Sequence, residues 1–376
     1  MITRILKQII NRDLSLNKTI ILLGARQVGK TTLLNELCAN EKELLVFNGD
    51  EPDTRELLSH VTSVQLKNLF GKAKIVVIDE AQLIPDIGIS LKLITDYIRN
   101  VRLFVSGSSS IELANKINEP LTGRKLEYFL YPISFKEMVN HHGLVHEKRL
   151  LPTRLIYGYY PEIVTSPGRE IQLLKNLAGS YLYKDILSFG EIKKPVVLDK
   201  LLKAIALQLG SEVSYSELGQ MAGADKETVE RYIDLLEKAF IIFRLNALSR
   251  NVRNEIKKGK KIYFYDIGIR NALIGNFQQF DLRTDKGAIW ENFIISERVK
   301  YLNYNGFYGG YYFWRTTQQQ EIDFIEEQDG KFSAYEFKLN PKKNIRFSAT
   351  FRNAYNVITM KTITPANMEE FVVYSK

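Results

Sequence analysis

Residues 19–32 read Thr-Ile-Ile-Leu-Leu-Gly-Ala-Arg-Gln-Val-Gly-Lys-Thr-Thr. Within them, 24–31 fit G-x-x-x-x-G-K-[ST], the Walker A pattern, between an apolar run that predicts a strand and a stretch that predicts a helix. Glycines at both ends let the backbone curl until its N–H groups face phosphate oxygens. The helix starting near Lys30 adds its positive dipole end. Gly24, Ala25, Arg26, Gln27, Val28, Gly29, Lys30, Thr31 and Thr32 are therefore the candidate nucleotide-binding set. In it Lys30 reaches the β- and γ-phosphates, and the Thr31 hydroxyl ligates Mg²⁺.

The chemistry that such a loop needs lies further along. Residues 74–80 read Lys-Ile-Val-Val-Ile-Asp-Glu, an apolar strand ending in two acids. Asp79 is the candidate to hold Mg²⁺ together with Thr31, and Glu80 is the candidate base that orients and deprotonates the attacking water. Residues 102–110 supply another strand followed by Gly-Ser-Ser-Ser. Ser108 is the candidate sensor of the γ-phosphate, with Ser106 behind it and Ser110 suited to capping the next helix. Arg124, just before a further strand, is read as an arginine finger acting in cis or on a neighbouring subunit, and equally as half of a surface ion pair. Asp50 is a weaker candidate for the same pocket.

Around these motifs, short apolar runs at 19–23, 44–48, 74–79, 102–106 and 126–130 alternate with helical patterns, notably 31–39 and 89–100. That alternation predicts an α/β fold, a parallel sheet with helices on both faces. Pro132 and the stretch 141–153, with His141, His142, Gly143 and Pro152, break the pattern. Mostly helical sequence follows to about 248, then β-rich aromatic sequence with strands expected at 261–265, 310–314, 321–325 and 332–339 and a helix at about 287–302.

Composition narrows the class. The chain has 376 residues, 45% hydrophobic and 25% charged, which excludes a disordered chain and suggests two to three domains. The net charge of +9 permits nucleic-acid contact without establishing it. Cys38 is the only cysteine, so an internal disulfide framework and Cys-only zinc sites are excluded. No apolar run reaches the roughly 18–20 residues of a membrane span. Ile2, Ile5, Leu6, Ile9 and Ile10, with Arg4 and Lys7 between them, predict an amphipathic helix at the start. A cytoplasmic location without membrane contact is expected.

Taken together, Gly-Ala-Arg-Gln-Val-Gly-Lys-Thr, Val-Val-Ile-Asp-Glu-Ala-Gln and Gly-Ser-Ser-Ser make the chain resemble AAA-type ATPases of bacteria and archaea that carry an uncharacterised C-terminal domain. The resemblance continues through Gly-Arg at 123–124, Tyr-Pro-Ile-Ser-Phe at 131–135, Gly-Tyr-Tyr-Pro-Glu at 158–162, Tyr-Leu-Tyr-Lys-Asp at 181–185, Trp-Glu-Asn-Phe at 290–293 and Glu-Ile-Asp-Phe at 321–324. It implies ATP rather than GTP, for which no base-reading motif is visible. The implied division is an ATPase domain at 1–135, a helical connector at 136–195, a winged-helix-like domain at 196–265 and a nuclease-like domain at 266–376.

Two features support that division. Ser216-Glu-Leu-Gly-Gln-Met-Ala, a turn at 223–225 and a helix from Lys226 resemble a winged helix or helix-turn-helix. Arg250, Arg253, Lys257, Lys258, Lys260 and Lys261, followed by Tyr263 and Tyr265, suit a wing that grips DNA through backbone charge and base stacking; a protein partner is the other use of such a module. Nearer the C-terminus, an Asp329-Gly330 turn would set Asp323 beside Glu336 on an adjacent strand, with Lys338 two residues on. Two carboxylates and a lysine so placed could hold Mg²⁺ and a phosphate. They are similar to the D…E-x-K core of PD-(D/E)xK nucleases, with Glu291 as the additional acid and Ile322 in place of the usual proline. The expected function is Mg²⁺-dependent ATP binding and hydrolysis, coupled to a conformational change of a C-terminal domain that meets nucleic acid or protein. The alternatives are an ATP-regulated metal-dependent DNA nuclease and a slow nucleotide switch with little turnover.

Overall fold

The computed structural model describes residues 1–108, 121–181, 194–249, 259–340 and 347–374. Contacts divide the chain into two compact units, one made of Met1–Ile133 with short pieces that include Lys238–Phe240, the other of Ser134–Ser180, Ile192–Glu237 and Ile241 onward.

The first unit is a five-stranded sheet of β1 (Thr19–Leu23), β2 (Leu44–Asn48), β3 (Ile75–Asp79), β4 (Arg102–Gly107) and β5 (Lys125–Phe129), in the order β2-β3-β4-β1-β5. Every pairing is parallel. Burial follows position: all residues of the inner strands β1 and β3 are buried, whereas the edge strands β2 and β5 are mostly half-exposed. This explains why the inner strands read as unbroken apolar runs, since helices flank a sheet of this kind and leave no polar side. Because all five strands run the same way, the loops after β1, β3 and β4 emerge at one edge, where α/β sheets bind ligands. The expected strands and helices of this unit are present, with ends shifted by one to three residues. Helices at Pro52–Leu58 and Ser63–Phe70 add to them.

The second unit departs from expectation at its start. Instead of a break through 141–153, helices run over Phe135–His142 and Leu144–Tyr157, with Pro152 inside the latter. Ser134 and Glu137 form a reciprocal cap on the first of them. Further on, helices at Tyr215–Ala222 and Lys226–Lys238 bracket the turn at Gly223, whose φ of 74° suits a residue without a Cβ.

A seven-stranded mixed sheet completes the unit, in the order β12-β11-β10-β9-β7-β8-β6. Its strands are β6 (Glu212–Val213), β7 (Ile242–Ala247), β8 (Lys260–Phe264), β9 (Gly310–Arg315), β10 (Glu321–Gln328), β11 (Lys331–Phe337) and β12 (Val357–Ile363). Hydrogen bonding is therefore continuous across residue 265, where the sequence suggests a boundary: β7 pairs with β8 on one side and with β9 on the other. The β10–β11 turn has positive φ at both Asp329 (53°) and Gly330 (72°), as a tight hairpin requires. The helix Lys286–Tyr304 is buried along most of its length; its buried charges are paired, Glu297 with Lys300 and Arg298 with Glu326.

Candidate functional site

The first site forms at the carboxyl edge of the five-stranded sheet. β1 ends at Leu23, and its carbonyl accepts a hydrogen bond from Leu130 N–H at 2.7 Å. A Cβ on Gly24 would then lie 2.2 Å from the Leu130 carbonyl oxygen, so only glycine fits where the loop leaves the strand. Gly29, with φ of 95°, starts the helix Lys30–Cys38. The Lys30 ammonium donates to the carbonyls of Gly24 and Ala25, both at 3.0 Å, and holds the loop folded over its own side chain. Ala25 and Val28 are buried beneath the loop, and Thr31 and Thr32 lie exposed on the first turn of the helix.

Across β4, which separates β1 from β3, the acids meet hydroxyls. Thr31 Oγ1 donates to Asp79 Oδ2 at 2.6 Å, and Ser106 Oγ donates to Asp79 Oδ1. Thr31 and Asp79 thus present paired oxygens of the kind a hard divalent cation takes, directly or through its water shell. Glu80 adopts a left-handed conformation with φ of 48°, turning its side chain toward Gln82. Gln82 Nε2 donates to Glu80 Oε2 at 2.5 Å and to Ser108 Oγ at 3.1 Å. Of the serine candidates, Ser106 belongs to Asp79 and Ser108 to the Glu80–Gln82 pair; Ser110 lies outside the described residues.

Two expected members do not join. Arg124 immediately precedes β5, and its carbonyl accepts from Thr19 N–H at 3.0 Å. It therefore lies at the amino ends of the strands, about 16 Å from the loop across a five-residue strand. Its guanidinium pairs with Asp96 at 2.8 Å, so the expectation of a finger serving its own chain is corrected. Asp50 is exposed beyond the edge strand β2.

Residues that the sequence reading passed over take structural places here. Arg4, buried just before the helix Ile5–Asp13, donates to the Val28 carbonyl at 2.7 Å and the Tyr131 carbonyl at 2.6 Å. An arginine in an amphipathic stretch gives no signal of such a contact. Gly49 N–H donates to the Asp79 carbonyl at 2.8 Å, and a Cβ there would lie 2.3 Å from the Glu80 carbonyl oxygen. Gln82 stood in the quoted Asp-Glu-Ala-Gln stretch without an assigned role.

The second constellation, in the C-terminal unit, also assembles, but with different partners. The β10–β11 register pairs Phe324 with Tyr335, and its continuation sets Asp323 opposite Glu336 as expected. Lys338 Nζ lies 3.5 Å from Asp323 and 3.1 Å from Glu336. Ile322, at the position of the missing proline, is fully buried in a cluster with Trp314, Ile325 and Phe351. Lys261 is the surprise. Expected in a solvated wing, it is only 3% exposed, and its ammonium lies 3.2 Å from Glu291 and 2.6 Å from Glu321. Tyr263, expected to stack bases, is fully buried and donates to Glu291 at 2.6 Å. Tyr265 packs against Phe243. Lys260 lies over the Tyr215 ring, and residues 250–258, with Arg250, Arg253, Lys257 and Lys258, lie outside the described residues.

Burial pulls the Lys261 ammonium toward neutrality, but Glu291 and Glu321 outweigh it and hold it charged well above the usual lysine range. Burial pushes Glu291 up. Burial and the neighbouring Asp323 push Glu336 up to about 7. Each pair of carboxylates is therefore bridged by an ammonium. Among the described residues no group of three or more His, Cys, Asp or Glu side chains is arranged to hold a metal ion.

Three domain families match successive parts of the chain. A family described as an AAA domain matches residues 16–139. Two domains of unknown function, DUF8612 and DUF4143, match 148–279 and 286–375. An uncharacterized protein of Mycobacterium tuberculosis is 26% identical over 351 residues, spanning 92% of this chain and 75% of that protein. One from Methanocaldococcus jannaschii is 25% identical over 353 residues, spanning 85% and 75%. Among solved structures, a Walker-type ATPase of Pyrococcus abyssi aligns over 71% of this chain and 94% of its own, with a TM-score of 0.48 and 17% identity. The AAA-domain match spans the phosphate loop and the strand that ends in Asp79, followed by Glu80. No helix among the described residues is long and apolar enough to cross a membrane.

Proposed function

We propose that the N-terminal unit binds Mg·ATP and hydrolyses it, with water attacking the γ-phosphate. The observation that carries this reading is the 2.6 Å contact between Thr31 and Asp79, which joins the phosphate loop to the acid-bearing strand through oxygens suited to Mg²⁺. In the proposed mechanism the loop N–H groups and the start of the helix Lys30–Cys38 bind the phosphates. Lys30 exchanges its two carbonyl partners for β- and γ-phosphate oxygens. Thr31 and Asp79 would hold Mg²⁺, which when bound would neutralise charge on the transferring group. Glu80 accepts the proton of the attacking water, and Ser108 donates to the γ-phosphate. Ser106 keeps Asp79 oriented.

The C-terminal unit is assigned, in the same proposal, as the part that meets a nucleic-acid or protein partner and responds to the nucleotide. The helix pair 215–222 and 226–238 supports it, and the whole chain's excess of 52 Lys and Arg over 43 Asp and Glu is compatible with a nucleic-acid partner. Phosphate release by the full chain tests the whole reading. Turnover should require Mg²⁺, and Lys30→Ala should abolish ATP binding in calorimetry. Retained binding in Lys30→Ala would overturn the phosphate-loop assignment. Stimulation of turnover by DNA would assign the partner as nucleic acid, and its absence would point to protein.

A further inference from the structure

We propose that Gln82 is the positioning residue that ties the base to the γ-phosphate sensor, so that Glu80 reaches its working orientation only through Gln82. This rests on the hydrolysis reading above.

Three observations meet at this side chain. Gln82 is only 6% exposed, which is unusual for glutamine. Its terminal nitrogen has two hydrogens to give, and the structure uses them on two groups from different strands: Glu80, after β3, and Ser108, after β4. The backbone is bent to permit this, because the left-handed conformation of Glu80 leads directly into the short helical turn Ala81–Leu83 that carries Gln82.

The consequence is a division of labour between two hydrogen-bonded chains that cross from β3 to β4. Thr31, Asp79 and Ser106 form one, at the metal-holding carboxylate. Glu80, Gln82 and Ser108 form the other, at the base. In the second chain Ser108 Oγ accepts from Gln82, so the serine's own proton is the one it can donate to an incoming phosphate oxygen. The amide also fixes one oxygen of the Glu80 carboxylate, leaving the other to receive the water proton. An arriving γ-phosphate that draws on Ser108 therefore acts, through one shared amide, on the group that must deprotonate the water.

Kinetics of the full chain test this. Gln82→Ala should lower kcat roughly 100-fold, the size of effect expected when a catalytic group is misplaced by about an ångström. The affinity for ATP measured by calorimetry should stay within about twofold. Gln82→Glu keeps the shape, removes both donors and sets a second carboxylate against Glu80; it should fall at least as far. The double variant Gln82→Ala/Ser108→Ala should lose no more than the worse single variant, because the two residues act as one unit. Gln82→Ala turning over at the wild-type rate would overturn the proposal. So would an equal loss in ATP affinity, or additive losses in the double variant. Glu80→Gln separates this from the parent reading. Wild-type turnover in Glu80→Gln overturns the base assignment itself, whereas an inactive Glu80→Gln beside a fully active Gln82→Ala overturns the role of Gln82 alone.

Discussion

Two regions of the molecule use nearly the same residue types to opposite effect. At the end of β3, Asp79 is met by the hydroxyls of Thr31 and Ser106, and Glu80 by the amide of Gln82. At the β10–β11 hairpin, Asp323 and Glu336 are met by the Lys338 ammonium, and Glu291 and Glu321 by that of Lys261. Neutral donors orient a carboxylate and leave its charge to attract a cation. An ammonium offsets part of that charge. An acid motif thus says where carboxylates lie, while their partners decide whether they are available for metal chemistry.

The comparison can be broken first at the nucleotide site. Glu80→Gln should lower ATP turnover about 10³-fold, within the range for removing a general base, while ATP still binds in calorimetry. Wild-type turnover would mean that Glu80 is not the base.

Next in size is Lys261→Met. It leaves the partly buried Glu291 and Glu321 without their ammonium and should destabilise the C-terminal unit by about 2–4 kcal/mol, read by urea unfolding. Unchanged stability would show that the cluster is not held by its lysine. ATP affinity serves as the control and should not move.

Arg4→Ala sharpens the contrast from the other side. It strips a charged donor from the Val28 carbonyl under the phosphate loop and should weaken ATP binding about tenfold, equivalent to about 1.4 kcal/mol. An unaltered affinity would make Arg4 a contact of the fold alone.

The smallest effect concerns pH. Glu336 titrates near 7 in the folded chain, above the ordinary carboxylate range, because burial and Asp323 disfavour its charge. A raised carboxyl contributes stability that is full below its unfolded value and is lost as pH rises through the folded one. Between about pH 4.5 and 7 the C-terminal unit should lose on the order of 1 kcal/mol from this group, because the Lys338 ammonium beside it offsets part of the cost. Glu336→Gln should flatten that part of the stability profile. An unchanged slope in melting experiments would assign it elsewhere.

How far the sequence could be read differs between the two regions for a local reason. The phosphate loop, its strand and its helix are contiguous, so residues 19–38 carry their own geometry, and the apolar runs at β1 and β3 announce strands buried on both faces. The hairpin was likewise readable, since Asp329-Gly330 dictates the turn and the turn dictates the register. Pro152 misled, because a helix can accommodate a proline that local propensity rules against. Lys261 misled for another reason. It stands in a run of basic residues, and only the pairing of β7 with both β8 and β9 carries it to carboxylates some 30 and 60 positions away.

The order of residues alone determined that this chain holds an anion-binding loop, an acid-tipped strand to serve it and a hairpin bearing acids, because each is a short segment whose backbone conformation follows from its own side chains. Only the tertiary structure decided which donor each acid meets. It set Gln82 between Glu80 and Ser108, turned Arg124 to the far end of the sheet and buried Lys261 among glutamates, because those encounters depend on strand order, which brings together residues distant in the chain.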